Sequence, residues 1–504
     1  MVPSSVVMPR RLLALLLALV PCACRDEPPP DNLLLVMIDT LRADHLGAWG
    51  YPYPTSPRLD ALARDGVRVS RFYSTSAWTR PGVASLLTGE YPRTTGIYEE
   101  RFDALAPELE TLAERLRARG YATLGVTANP NINAWFGFDQ GCDLYGDSGV
   151  VWPWMPAAGD ARRLAPGVAR LDDATAVTDR ALEALDRLRS EQPGKPFYLQ
   201  LLYVDPHLPY EPPAGALQAL VEAGSRHAAY DGEIRHTDAE IGRLLDGLES
   251  RGLLGSTLVV VTSDHGEGLD DHPNVPRSYA HGNIVYDSVL HVPLLLSHPD
   301  LPPGRVVETL ASSIDLVPTV LELLGRPLAP QQVAGRSLVP LLRGGDPAWD
   351  RDRVFSETDW RATRKLTVRT ASRRFIRNDD SLAYQREGVF EGRELDADER
   401  RQLAEIPPQE LYEERPGRAE DPASSNVVAS EAERAAQLAA DLARWERAVP
   451  ARAPLRRDPE TDVLSTPGGV VPRRSEAASG EPAPAIDPEL EERLRALGYL
   501  EGGH

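Results

Sequence analysis

The 504-residue chain has only three cysteines, and that scarcity leaves no disulfide framework. Cys22 and Cys24 fall in the amino-terminal segment, and Cys142 stands alone once that segment is removed. Positive charge is also short. Lys and Arg number 55 against 75 Asp and Glu, a formal charge of -20 with no basic cluster, which argues against a nucleic-acid partner. Membrane-spanning apolar runs are missing too. Leu12 to Val20, behind Arg10-Arg11, is too short to cross a bilayer and has the form of an export signal over residues 1–24. Cys24, after Ala23, stands where a bacterial lipoprotein is acylated, and residues 25–31 read as a Pro-rich tether. The expected location is the bacterial cell envelope, periplasmic or held at the membrane by that lipid, or the outside medium. No internal repeat is present.

What the chain does have is alternation. Leu33-Leu34-Leu35-Val36-Met37-Ile38 is a continuous apolar run, the pattern of a strand buried on both faces. Tyr121 to Thr127, Phe197 to Val204, Leu258 to Thr262 and Val292 to Leu296 repeat it. Between them lie amphipathic helices: Leu109 to Arg119, Asp173 to Arg189, Tyr230 to Arg251 and Ser313 to Leu324. This alternation predicts an α/β fold over residues 32–345, a mostly parallel central sheet sandwiched by helices. An open sheet of that kind keeps its site at the strand ends. Asp39 follows the first strand directly, and Asp264-His265 the fourth.

Residues 346–447 change character and predict a smaller α+β subdomain. Leu366-Thr367-Val368-Arg369 and Arg374-Phe375-Ile376 read as short strands, and Glu431 to Arg447 as an alternating-charge helix. Residues 448–488, rich in Pro, Gly, Ser and charge, read as a disordered linker, and 489–504 as a final helix and tail.

Three short stretches carry the chemistry. Asp39 sits at a strand tip, where a carboxylate serves either as a hard-cation ligand or as a helix cap. Thr79-Arg80-Pro81-Gly82 turns into Val83-Ala84-Ser85-Leu86-Leu87-Thr88-Gly89, and a helix there would aim its first amides at an anion. The Thr79 hydroxyl is a weak nucleophile until a cation or base activates it. Ser263-Asp264-His265-Gly266-Glu267-Gly268 sets a carboxylate beside an imidazole, a donor pair that does not decide among Ca, Mn, Zn and Mg. His207, in Asp205-Pro206-His207-Leu208-Pro209-Tyr210, and His281, in Ala280-His281-Gly282, follow later strands.

In that chain order the motifs resemble the sulfatase family of the alkaline-phosphatase superfamily, metal-dependent ester hydrolases. With Leu86-Leu87-Thr88-Gly89 set in register, Thr79 falls on the Cys or Ser that the family oxidises to formylglycine, Gly82 on a Ser and Val83 on an Arg. Threonine cannot become formylglycine, so the resemblance implies a Thr79 nucleophile. It also implies a divalent cation held by Asp39, Asp264, His265 and Thr79, with His207 and His281 meeting the substrate and serving catalysis. Departures accompany the match. Asp39-Thr40 replaces Asp-Asp, and Val126-Thr127-Ala128-Asn129 stands where Gly-Lys-x-His is expected. His281 replaces a sulfate-binding Lys, as in the Thr-nucleophile phosphoethanolamine and glycerol-phosphate transferases.

The implied activity is hydrolysis or transfer of a sulfate or phosphate ester on a small molecule, glycan or lipid headgroup. The single hydroxyl of Thr79 tilts the reading toward phosphate. Asp205, His207 and His281 could also hold a second cation, as in the two-metal phosphodiesterases of the superfamily. The alternative is a non-catalytic exported protein that binds an anionic glycan or lipid headgroup.

Overall fold

The computed structural model describes residues 31–98, 103–147, 173–272, 275, 281–345, 349–360, 363–379, 389–390, 393–394, 397, 401, 406–414, 425–457, 464–466 and 469–470. The export signal with Cys24, the tether up to residue 30 and the helix expected over 489–504 lie outside them.

An eight-stranded sheet forms the centre. Its strands are β1 (Asn32–Ile38), β2 (Val67–Val69), β3 (Ala122–Thr127), β4 (Leu144–Gly146), β5 (Phe197–Tyr203), β6 (Thr257–Thr262), β7 (Leu294–Ser297) and β8 (Arg305–Val307). Across the sheet they run β8-β2-β7-β6-β1-β5-β3-β4. β1 pairs in parallel with β5 and β6, and β3 with β5 and β4. Only β7 runs against its neighbours β6 and β2, so the sheet is mostly parallel, as its apolar strands predict. The strand expected at Val292 begins two residues later, and β2, β4 and β8 are three-residue strands too short to print a pattern.

Alternate β1 side chains feed two separate cores. Leu33, Leu35 and Met37 pack with Leu86 of α2 (Thr79–Thr88), Leu112 of α3 (Leu112–Arg117) and Val317 of α7 (Leu316–Leu323). Leu34, Val36 and Ile38 pack with Leu59 of α1 (Pro57–Asp65), Val177 of α4 (Ala174–Glu191) and Leu244 of α6 (Ala228–Ser250). Period-two alternation on a strand covered on both sides gives this division directly. α5 (Ala214–Ala223) lies outside both cores, with Leu220 its buried residue.

A second, antiparallel sheet follows in the order β9 (Val354–Trp360), β10 (Thr363–Arg369), β11 (Arg373–Asn378), β12 (Gln409–Glu413). Leu366, Val368, Phe375 and Leu411 on one face hold Leu438, Leu442 and Trp445 of α8 (Ala432–Ala448). Its edge strand β9 docks on the main domain. The Glu357 amide donates to the Thr75 carbonyl at 2.9 Å, Ser356 Oγ to Ser74 O at 2.6 Å, and Thr358 Oγ1 to Gly282 O at 2.6 Å.

The linker reading of 448–488 needs correction in part. Leu455–Arg457 pairs with Asp103–Ala104 and with Leu464–Thr466, which pairs in turn with Gly469–Val470. The polar composition hid this segment because backbone pairing and one buried side chain, Leu455, anchor it.

Leu35 is fully buried in the central strand. Leu35→Ala should lower unfolding free energy by about 2–5 kcal/mol, read as an earlier denaturant midpoint. An unchanged midpoint would remove β1 from the core.

Candidate active site

β1 and β6 are parallel neighbours, so Asp39 and Asp264-His265 emerge side by side at their carboxyl ends. Asp39, Asp264 and His265 are fully buried, and one donor atom from each lies within 4.8 Å of the others. His265 Nε2 is 3.4 Å from Asp39 Oδ1 and 3.4 Å from Asp264 Oδ2. Its other nitrogen, Nδ1, bonds the Gly266 carbonyl at 2.8 Å, which turns the Nε2 lone pair toward the carboxylates. Thr79 Oγ1 approaches the same Nε2 to 3.3 Å. Asp39 Oδ1 and Asp264 Oδ2 have no hydrogen-bond partner among the described residues. Orphaned carboxylate oxygens around an imidazole suit a divalent cation.

The surroundings are built to hold this geometry. Thr79 opens α2, and Gly82 three residues on lies so near the metal-side loop that a Cβ would stand 2.7 Å from the Asp264 carbonyl. Glycine is therefore demanded where the family has Ser. Val83, where the family has Arg, is buried in the core. Thr40 adopts φ of 55°, a left-handed conformation that a β-branched residue avoids, and its buried hydroxyl has no partner among the described residues. Its amide faces both carboxylates.

Asn129, at the end of β3, donates from Nδ2 to Asp39 Oδ2 and accepts from the Asn131 amide at 2.8 Å. Arg80 braces this turn through Asn131 O at 3.0 Å and Asn131 Oδ1 at 3.1 Å, its guanidinium 3.5 Å from the Phe136 ring centre.

His207 and His281 join the cluster. Their rings are 4.9 Å apart, and the His265 and His281 rings 4.4 Å apart. His281 Nδ1 meets Glu267 Oε1 at 3.2 Å, and Glu267 is fully buried. Asp205 turns away instead. Its carboxyl pairs with Glu233 on α6 rather than joining His207 and His281, and those three form no metal-type cluster among the described residues. The described groups of that type are the Asp39 cluster and a peripheral one of His227, Asp270 and Asp271 that Arg226 already bridges.

Burial dominates the electrostatics. It raises the Asp39 carboxyl to about 8 despite the Asn129 hydrogen bond, with Glu267 adding repulsion. Burial and the neighbouring Asp39 raise Asp264 as well. Burial, with His281 and His207 close by, holds His265 neutral far below its ordinary value. Glu267 is raised to about 7, again first by burial.

All six side chains singled out by sequence, Asp39, Thr79, His207, Asp264, His265 and His281, fall in this one region. Glu267, Asn129 and Glu233 were missed. Asn129 had a signal, its place at a strand tip, whereas nothing local in the sequence marks Glu267 or Glu233.

A mostly parallel α/β sheet thus carries an Asp, an Asp-His pair and a helix-opening hydroxyl at its strand ends. Comparison with known proteins then supplies the family. The Sulfatase family model matches residues 31–326, more than half the chain, and the N-sulphoglucosamine sulphohydrolase C-terminal model matches residues 278–379. The chain belongs to the sulfatase family and is by class a hydrolase of ester bonds, in a family that generally uses a divalent metal ion.

Arylsulfatase A of Homo sapiens is 30% identical over 387 residues, covering 66% of this chain and 71% of its own. The multifunctional alkaline phosphatase superfamily protein PehA of Trinickia caryophylli is 27% identical over 436 residues, covering 66% and 80%. The solved phosphonate monoester hydrolase from Silicibacter pomeroyi shares the fold with a TM-score of 0.60 at 23% identity, over 88% of this chain and 99% of that one. No helix among the described residues is long and apolar enough to cross a membrane.

Asp39, Asp264 and Glu267 hold protons to higher pH folded than unfolded. Their stabilising contribution is whole below about pH 4 and is lost as pH rises toward about 8. A metal-stripped sample should melt at a lower temperature at pH about 8 than at about 5, and excess Mn or Zn should raise Tm most at the higher pH. A metal-free Tm that stayed level or rose across that range would contradict this picture of the carboxyls.

Proposed function

We propose that the protein is an exported, metal-dependent ester hydrolase with a Thr79 nucleophile and a preference for phosphate over sulfate esters. The observation that supports it most is the 3.3 Å approach of Thr79 Oγ1 to His265 Nε2, beside two partnerless carboxylate oxygens. Asp39, Asp264, His265 and Thr79 would hold the cation. When bound, it would lower the pKa of the Thr79 hydroxyl and offset negative charge on the ester. The donor set of carboxylates, imidazole and hydroxyl does not decide among Ca, Mn, Zn and Mg. The export signal, with Cys24 as the lipid attachment, would put the site in the cell envelope.

The chain's own groups then divide the work. Thr79 Oγ1, its proton released to solvent, bonds to phosphorus as the ester oxygen departs from the opposite side, and that oxygen takes a proton from His281 or His207. Glu267, against His281 Nδ1, supports the protonated imidazole before transfer. In the second half, water or an acceptor alcohol yields its proton to the same imidazole and bonds to phosphorus. The Thr79 oxygen–phosphorus bond breaks, and the departing Thr79 oxygen takes back a proton from solvent, which restores the hydroxyl. A purely anion-binding protein would have no use for a hydroxyl set against His265.

Two features favour phosphate. A hydrated formylglycine expels sulfate by collapsing to the aldehyde, but Thr79 has one hydroxyl, so a sulfo-threonine clears only by attack at sulfur. Attack at phosphorus clears a phospho-threonine more readily. Second, the expected sulfate-holding positions are otherwise employed: Val83 lies in the core and Asn129 is committed to Asp39.

Turnover of p-nitrophenyl phosphate or bis-p-nitrophenyl phosphate should exceed that of p-nitrophenyl sulfate in one metal-loaded preparation. Thr79→Ala should lower kcat by about 10³-fold or more with metal content retained. Sulfate turnover above phosphoester turnover, and lost in Thr79→Ala, would reverse the preference.

A further inference from the structure

His207 is carried by the loop between β5 and α5, and α6 grips that loop on both sides of it. Glu233 of α6 contacts the Asp205 carboxyl two residues before His207. Glu233 Oε1 accepts the Glu211 amide at 2.6 Å, four residues after it. One helical turn on, Thr237 Oγ1 donates to the Asp205 carbonyl at 3.3 Å. Gly232 seats Pro212 so closely that a Cβ would stand 2.9 Å from the proline ring. α6 thus holds the loop on both sides of His207, and a carboxyl–carboxyl contact stands between Asp205 and Glu233.

Two carboxylates cannot hold such a contact while both are ionised, and Asp205 Oδ2 has no donor facing it among the described residues. One proton shared across the pair supplies the missing donor. We propose that Glu233 is a positioning residue: its carboxyl, sharing one proton with that of Asp205, closes the loop that sets His207 against His281. The proposal rests on the reading of His207 as a group that meets the ester. It also means that the carboxyl available for a second cation is held by a proton instead.

The surroundings suit a shared proton. Burial raises both carboxyls, Glu233 to about 9; Asp205 raises Glu233 further, while the hydrogen bond with Glu233 draws Asp205 back down. The groups that face the pair are His236 on the same helix, which lowers Asp205, Asp173 at the cap of α4, which raises it, and Glu211 in the loop, which raises Glu233. The contact is thus closed at neutral pH and opens as the proton leaves in the alkaline range.

Steady-state kinetics of the metal-loaded full chain over pH about 6 to about 10, with the phosphoester it turns over, test the proposal. Glu233→Gln keeps a donor for Asp205 and an acceptor for the Glu211 amide without a titrating proton. It should keep neutral-pH kcat within about threefold of wild type and shift the alkaline fall of kcat upward. Glu233→Ala, with Tm and metal content checked, should lower kcat by about a hundredfold at neutral pH with little change in KM. An alkaline limb identical in Glu233→Gln and wild type would overturn the proposal.

Hydrogen exchange of the amides of residues 204–212, corrected for intrinsic rate, reads the same contact without turnover. Protection should fall between pH about 8 and about 10 in wild type and stay level in Glu233→Gln. If exchange behaves so while Thr79→Ala retains full activity, the clamp stands and the nucleophile reading falls. Equal pH dependence in both proteins would sink the clamp.

Discussion

Everything in the site depends on two carboxylates and an imidazole being buried together at the ends of β1 and β6. Charge in such a place is expensive unless something compensates it, and a divalent cation compensates it best. The remaining shell keeps the donors pointed inward. The Asn129 amide fixes one oxygen of Asp39, and the Gly266 carbonyl fixes the ring of His265. The strained backbone at Thr40 turns its amide to both carboxylates. Rigid neighbours would spare a bound cation from reorganising its ligands, which is where preorganised sites gain their catalytic advantage.

The departures from the family pattern make sense together when seen in space. Val83 fills apolar volume, Gly82 admits the Asp264 carbonyl, and Asn129 orients a ligand rather than an ester. Charge that the usual pattern spends on holding the substrate anion has been withdrawn from this side of the site. What remains beside the cluster is imidazole, from His207 and His281, whose proton can move.

Legibility in the sequence followed the length of the signal and the locality of the contacts. β1 and β5, seven residues each and six of them apolar, announced themselves, and with them the strand tip that carries Asp39. Three-residue strands such as β2 and β8 give no period to detect, and the pairing of Leu455 with Ala104 spans most of the chain. The six candidate residues could be named because adjacency within a motif, or register on Leu86-Leu87-Thr88-Gly89, located them, and folding brings them into one region. Glu233 and Asn129 were not, since each acts on a residue far along the chain, Asp205 and Asp39, that only folding brings near. Glu267 was in plain view beside His265. Its burial against His281 was the hidden part.

The bonds from β9 to Thr75, Ser74 and Gly282 carry a consequence for how this enzyme can change over evolutionary time. They land four and five residues before Thr79 and one residue after His281. The carboxy-terminal sheet is thereby part of the active-site wall, though it contributes none of the reacting groups named above. Recombination near residue 345 would cut through that wall, so the two regions should be inherited as a pair. New specificities would then arise by loop replacement within each region rather than by exchange of one for another.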